Sequence, residues 1–363
     1  LIKLRLAILG FGHVGQALAS IILERGPEYR RRYHLDLEVV AIADSSGAAA
    51  VNFGGSPGSG SGLPLAEILE RKRRGEGVGT HPVFGRAGLS GLDLLSTVTA
   101  EVLVEVSPTD LKTGEPGLSH IRLALERGMH VVTANKGPLV LAFDEILSLA
   151  RARSASLKFG GAVAAALPTA SIGYYDLAGS QIHRLEGVLN GTTNYILTRM
   201  SENNLSYDLA LQEAQAKGIA ERNPTLDVDG WDTAAKLLIL ANTLMGARAR
   251  LDQIKREGIT ELSRTDLEDA QRKNMVIKLL GVAEWKETGN AGEATLKLQV
   301  SPKWLSKDHP LAGVRGTEKG LTFYTDLLGK LTVIGGGSGP VPAAGSLIRD
   351  IINLAREVYG LDR

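Results

Sequence analysis

The sequence predicts a two-domain α/β protein: a parallel, helix-covered sheet, then an α+β domain around a separate mixed sheet. Three observations predict it. Strand-like and helix-like segments alternate through the N-terminal third, the alternation gives way to a mixed order after about Leu141, and 363 residues exceed the roughly 250 to 300 at which single cores stop growing. The expected spans are 1–140, 141–334 and a terminal helix, 335–363, that packs back on the first domain.

Leu4 to Leu9 is a short apolar strand, Val14 to Arg25 has apolar residues at helical spacing, and Leu37 to Ala43 is a second strand ending in Asp44. Together they make a βαβ unit. Gly26 to Asp36 reads as a polar, arginine-rich insertion, and Phe53 to Gly62 as a mobile glycine-serine loop. Further strands at Val102 to Val106 and His130 to Thr133 flank a helix from Gly117 to Arg127, which extends the parallel sheet. Beyond Leu141, strands at Ile182 to Leu189, Val276 to Glu284, Ala294 to Ser301 and Leu321 to Asp326 interleave with helices at Thr193 to Glu202, Tyr207 to Lys217, Asp232 to Met245 and Asp266 to Lys273. Pro342 to Val358 is the final helix, entered through a glycine-rich connection.

Gly10-Phe11-Gly12-His13-Val14-Gly15 is a G-x-G-x-x-G directly after a strand and opening a helix. In that position the glycines serve a tight turn, close approach of backbone to a pyrophosphate and close helix-to-strand packing, so the first domain reads as a Rossmann dinucleotide-binding domain. Asp44 closes the second strand, where an acid accepts from the adenine ribose hydroxyls and disfavours a 2'-phosphate. NAD is therefore weakly favoured over NADP. Arg71 to Arg74, R-K-R-R, is the counterweight: it reads most simply as a solvated helix end, and otherwise as a cluster that meets a phosphate.

Composition narrows the classes. With 41 basic and 40 acidic residues there is no reason to expect a nucleic-acid or anionic-membrane partner. No uncharged apolar run approaches the ~20 residues of a membrane span, and the expectation is a cytoplasmic protein. The absence of cysteine removes thiol nucleophiles and Cys-ligated zinc, and the seven histidines show no metal spacing.

Asp232 and Lys236 lie four apart in a helical stretch and so share a face. Burial of an ammonium lowers its pKa while a nearby carboxylate raises it, a balance that can bring a lysine into range for proton transfer. An ordinary surface ion pair is the plainer reading of the same spacing.

The segment E-G-V-L-N-G-T-T-N-Y-I-L, followed by A-E-R-N-P-T-L-D-V-D-G-W-D-T-A-A-K, together with Ala134-Asn135-Lys136, resembles the signature of homoserine dehydrogenase. The likeness runs from the glycine loop to the last helix. It implies NAD(P)-dependent interconversion of L-homoserine and L-aspartate 4-semialdehyde in threonine and methionine biosynthesis, a small-molecule substrate, and a homodimer formed through the second domain, which is then a catalytic and dimerisation domain. Residue by residue, Lys236 would be proton donor and acceptor at the substrate oxygen, with Asp232 holding it. Glu221 would receive the substrate ammonium, Asp227 would shape the pocket, and Asn190, Gly191 and Thr192 would offer donors to the substrate. Lys136 would lie between nicotinamide and substrate carboxylate, and Ser107-Pro108 would touch the nicotinamide half. The resemblance also implies a sodium or potassium ion held by the carbonyls of Val163, Ala165 and Leu167, but the family's glutamate ligand is replaced here by Gly160.

The expected class is the family's short form, which carries neither an ACT-type regulatory domain nor a fused aspartate kinase. Aspartate-semialdehyde dehydrogenase shares the two-domain plan but needs a cysteine for its thioester, and this chain has none. Two alternatives stay open on sequence alone: a dehydrogenase for another small amino or hydroxy acid, and a non-catalytic dinucleotide sensor.

Overall fold

Ile2–Leu9 (β1) is the strand from which the first sheet grows in both directions. The computed structural model describes residues 1–53, 62–287 and 294–361, so most of the glycine-serine loop lies outside the described residues. The chain divides into two units, Leu1–Ala162 with Gly339–Arg363, and Val163–Ser338.

In the first unit β1 leads into a helix, His13–Tyr33 (α1), then Leu35–Asp44 (β2), Gly47–Ala50 (β3), Leu65–Arg73 (α2) and Gly85–Ala87 (β4). Gly91–Thr97 (α3), Val102–Glu105 (β5), Gly117–Glu126 (α4), His130–Thr133 (β6), Lys136–Leu141 (α5), Phe143–Ala152 (α6) and Leu157–Lys158 (β7) follow. The strand order is β4-β3-β2-β1-β5-β6-β7, parallel from β2 through β7, with β3 and β4 folded back antiparallel. Leu6, Ile8, Val102, Val104 and Val132 on one face and Ala7, Leu9, Leu103 and Val131 on the other are fully buried, as a sheet covered on both faces requires. The order reverses at β1, with β2 on one side and β5 on the other; in open α/β sheets the crevice beyond that point takes the ligand.

Two expectations change. Gly26 to Asp36 is no insertion, because α1 continues through Pro27 to Tyr33. Its added turns are held by packing: Tyr29 joins a core cluster with Leu354 and Ala355 of the C-terminal helix Pro340–Tyr359, and the Arg356 guanidinium lies 5.5 Å from the centre of the Tyr33 ring. The first unit also extends past residue 140, since β7 pairs in parallel with β6 and completes the sheet.

The second unit contains Ile182–Val188 (β8), Gly191–Asn203 (α7), Tyr207–Ala216 (α8), Thr225–Val228 (α9), Trp231–Leu244 (α10), Lys255–Arg256 (β9), Arg264–Arg272 (α11), Met275–Glu287 (β10), Ala294–Ser306 (β11), Lys319–Thr325 (β12) and Lys330–Gly335 (β13). Its sheet runs β13-β12-β8-β10-β11-β9, antiparallel except for the β11–β9 pair. A Cβ on Gly281 of β10 would touch Thr233 and Leu237, so this sheet face lies on α10. Among the described residues no helix is long and apolar enough to cross a membrane.

Candidate active site

The glycine loop sits at the carboxyl end of β1. The Gly10 amide donates to Ala43 O on β2 at 3.0 Å, Phe11 is buried, and α1 starts at His13 with Gly12 as its cap. A Cβ on Gly15 would stand 2.3 Å from Gly10 O, which forces glycine where helix and turn cross. His13 is exposed and Val14 half-buried. The start of α1 leaves its first amides without helical partners, the general feature by which helix N-termini take anions.

Asp44, at the end of β2, already has partners on both carboxylate oxygens. Its Oδ1 accepts from the Ser46 amide at 2.9 Å and hydroxyl at 2.5 Å, while Oδ2 accepts from Lys72 Nζ at 2.7 Å and the Val78 amide at 3.2 Å. Burial opposes its ionisation, yet these four donors hold its carboxyl below the usual carboxylate range. The basic run on α2 is not simply solvated. Lys72 turns in to Asp44, Arg71 pairs with Glu76, and Arg74 reaches Glu70 and Glu76.

Ser107 and Pro108 follow β5, and Asn135 and Lys136 follow β6. Asn135 caps α5 by accepting from the Gly137 amide at 3.1 Å, and the Lys136 amide donates to Thr109 Oγ1 at 3.4 Å. The glycine loop, Asp44, Ser107-Pro108 and Lys136 thus stand at the carboxyl ends of four adjacent parallel strands.

In the second unit, Lys236 Nζ donates to Asp232 Oδ2 at 2.6 Å and to Leu189 O at 3.0 Å. Both side chains keep only 12 % of their exposure, so the plainer surface-pair reading fails. The apolar run of α10 after Lys236 buries the helix, and the i, i+4 spacing brings carboxylate and ammonium together inside it. Asn190 caps α7 by accepting from the Thr193 amide at 2.8 Å, and its Nδ2 bridges Asp227 Oδ1 at 2.6 Å and Asp232 Oδ2 at 2.8 Å. Burial, and then the charge of Asp232, push the Asp227 carboxyl up. Thr192 donates to Ile219 O at 3.2 Å, and a Cβ on Gly191 would strike Ser338 Oγ at 2.6 Å. Asn190, Gly191, Thr192, Asp227, Asp232 and Lys236 therefore form one cluster. Glu221 is exposed in the turn before α9, and among the described residues no hydrogen bond or ion pair joins its carboxylate to them.

Gly160, where the resemblance expects a glutamate, donates its amide to Asp350 Oδ2 at 2.7 Å, and a Cβ there would stand 2.9 Å from both Asp350 oxygens. No side chain fits without displacing that buried carboxylate. Leu167 O already accepts from the Thr169 amide at 2.8 Å. Three neutral carbonyls without a carboxylate make a poor donor set for a cation, and among the described residues no group of three or more His, Asp or Glu could hold a metal.

Two buried lysines escaped the sequence reading. Lys278 donates to Asn194 Oδ1 at 3.0 Å and to Val314 O, and Lys319 to Ser338 Oγ at 3.1 Å and Gly337 O at 3.3 Å. Burial, reinforced at Lys319 by the charge of Lys236, lowers each to about 8. Between that value and the ordinary lysine 10.5 the folded chain sheds these protons before the unfolded chain does. The unfolded state then binds more protons, so stability rises with pH across this window. Urea unfolding at the two ends of the window checks this, and Lys319→Met should flatten the rise; an unchanged slope in that variant counts against it.

A family model described as "Homoserine dehydrogenase, NAD binding domain" matches residues 10–159, and one described as "Homoserine dehydrogenase" matches residues 168–352. A homoserine dehydrogenase of Methanocaldococcus jannaschii is 37% identical over 96% of this chain and 97% of its own length. An NAD(+)-dependent homoserine dehydrogenase of Pseudomonas canavaninivorans is 37% identical over 96% of each. Among solved structures, a putative homoserine dehydrogenase from Archaeoglobus fulgidus superimposes with TM-score 0.83 at 33% identity, covering 97% of this chain and 99% of that one. A hyperthermophilic archaeal homoserine dehydrogenase in complex with NADPH gives TM-score 0.80 at 29% identity, covering 99% and 100%.

Proposed function

This chain belongs to the homoserine dehydrogenase family, and from that membership we propose that Lys236 carries the proton of the reaction and Asp232 holds it in place. The chain is an NAD(P)-dependent oxidoreductase that interconverts L-homoserine and L-aspartate 4-semialdehyde in threonine and methionine biosynthesis. The observation that carries the proton role is the buried Asp232–Lys236 contact of 2.6 Å. The nicotinamide, when bound, takes or returns the hydride. An ammonium has three donors; two of those of Lys236 go to Asp232 and Leu189 O, and the third serves the substrate oxygen. Asn190 ties Asp232 to Asp227 and stops the carboxylate from turning away. Thr192 and Gly191 line the same pocket, and Glu221, exposed and outside the cluster, takes the substrate ammonium. Homoserine-dependent reduction of NAD+ or NADP+, followed by absorbance, tests the activity; its absence with both would refute it.

For the cofactor, Gly10 to Gly15 take the pyrophosphate, and Ser107, Pro108 and Lys136 the nicotinamide end. Lys72 neutralises Asp44 where the adenine ribose is expected, which lets the site tolerate a 2'-phosphate. Lys72→Ala should therefore weaken NADP+ by roughly tenfold, about 1.4 kcal/mol, and leave NAD+ almost unchanged. Calorimetric titration of both decides, and equal losses would remove Lys72 from cofactor choice. A cation at Val163, Ala165 and Leu167 forms no part of this reading, for want of a carboxylate at Gly160. The second unit's sheet carries Arg184, Glu186, Val282, Glu284 and Tyr324 on the face opposite α10, and that face is the one we assign to a homodimer. Sedimentation equilibrium would report the dimer.

A further inference from the structure

Glu105 ends β5 and is wholly buried, an expensive place for a carboxylate unless it is fully hydrogen-bonded. Its Oε1 accepts from the Ser107 amide at 2.8 Å and from the Ser107 hydroxyl; its Oε2 meets His120 Nδ1 of α4 at 2.8 Å. His120 is buried as well. Asn135 Nδ2 approaches Ser107 Oγ at 3.3 Å and Glu105 Oε1 at 3.4 Å, in each case as donor. Oε1 is an acceptor for the Ser107 amide, and so it takes the one proton of the serine hydroxyl as well. Ser107 Oγ is left with acceptor capacity alone. The backbone that carries it is tied to the same carboxylate through the Ser107 amide and packs closely on the glycine loop, since a Cβ on Gly10 would lie 2.5 Å from Ser107 N. The backbone of Ser107 therefore stands beside the glycine loop, next to the point where the strand order reverses.

We propose that Glu105, braced by His120, is a positioning residue that fixes Ser107 Oγ as a hydrogen-bond acceptor, and that this acceptor selects a carboxamide on the pyridine ring of the cofactor over a carboxylate. The proposal rests on the reading that Ser107 meets the nicotinamide end. A carboxamide offers N–H donors to the fixed oxygen. A carboxylate offers none, and meets a second acceptor instead of a partner.

Calorimetric titration with NAD+ and with nicotinic acid adenine dinucleotide tests it, on wild type, Glu105→Ala, Glu105→Gln and Ser107→Ala, each checked for folding by circular dichroism and thermal unfolding. Wild type should prefer NAD+ by about tenfold or more, the scale of a hydrogen bond to a fixed polar group. Glu105→Ala frees the hydroxyl to rotate and donate, and should bring the two affinities within about threefold of each other. Glu105→Gln should keep most of the preference, because its carbonyl still accepts from Ser107 while its amide faces a His120 nitrogen that can accept in the other tautomer. Ser107→Ala should lose the preference with the buried carboxylate intact, and decides the matter should Glu105→Ala not fold. A folded Glu105→Ala or Ser107→Ala protein with wild-type preference overturns the proposal. So does an equal loss in Glu105→Gln and Glu105→Ala, which would make the carboxylate's charge the discriminator. Failure of wild type to bind either dinucleotide would instead overturn the nucleotide-site reading underneath.

Discussion

Lys236→Ala is expected to lower kcat by roughly 10²–10⁴-fold, the usual worth of a positioned general acid–base, while the Kd for NAD+ stays within about twofold of wild type. The two effects separate because the residues assigned to the dinucleotide lie in the first unit and Lys236 in the second. Removing the ammonium also leaves Asp232 buried beside Asp227, with Asn190 bridging them, so some stability goes with it. Lys236→Arg distinguishes the causes. A guanidinium keeps the ion pair, but its pKa stays too high for it to give up a proton, so that variant should be nearly as slow as the alanine one and markedly more stable. Steady-state kinetics and thermal unfolding on the pair give the answer. A folded Lys236→Ala enzyme with near-native kcat would end the proton-carrier assignment.

The parts of this site that were legible in the sequence are those written in local spacing. Gly10, Gly12 and Gly15 follow an apolar strand and open a helix, and Asp232 and Lys236 are one helical turn apart, so backbone geometry alone predicts their placement. What stayed hidden depends on partners distant in the chain. Nothing near Lys72 says that it will meet Asp44, 28 residues before it, and nothing near Glu105 names His120. The strands β3 and β4 were missed because Gly47–Ala50 is G-A-A-A and Gly85–Ala87 is G-R-A, with none of the β-branched or aromatic residues that mark strands. The edge strand β13 is mostly exposed, so it lacked a buried face to announce it. Gly26 to Asp36 misled for the opposite reason: its polar, arginine-rich composition shows no apolar helical face, but burial of Tyr29 against the C-terminal helix holds it in α1 in spite of Pro27.

The glycine loop separates folding from binding within three residues. Gly10 has φ +98°, and a Cβ there would lie 2.4 Å from the carbonyl carbon and oxygen of Val106. Both neighbours are backbone at the end of a central strand, with no flexible side chain to yield. Gly10→Ala should therefore cost about 3 kcal/mol, combining roughly 1–2 for the left-handed backbone and 1–3 for overpacking, and lower the melting temperature by roughly 6–12 °C. Gly12 is the contrary case. Its φ is −78° and a Cβ would meet nothing within 4 Å, so folding gives no reason for glycine there. The open space in front of it is what a pyrophosphate needs in order to reach the helix N-terminus. Gly12→Ala should accordingly melt within about 0.5 kcal/mol of wild type yet bind NAD+ at least tenfold more weakly, about 1.4 kcal/mol. If Gly12→Ala bound NAD+ normally, the phosphates would have to lie elsewhere, and the assignment of Gly10 to Gly15 as the dinucleotide cradle would fall even with the fold intact.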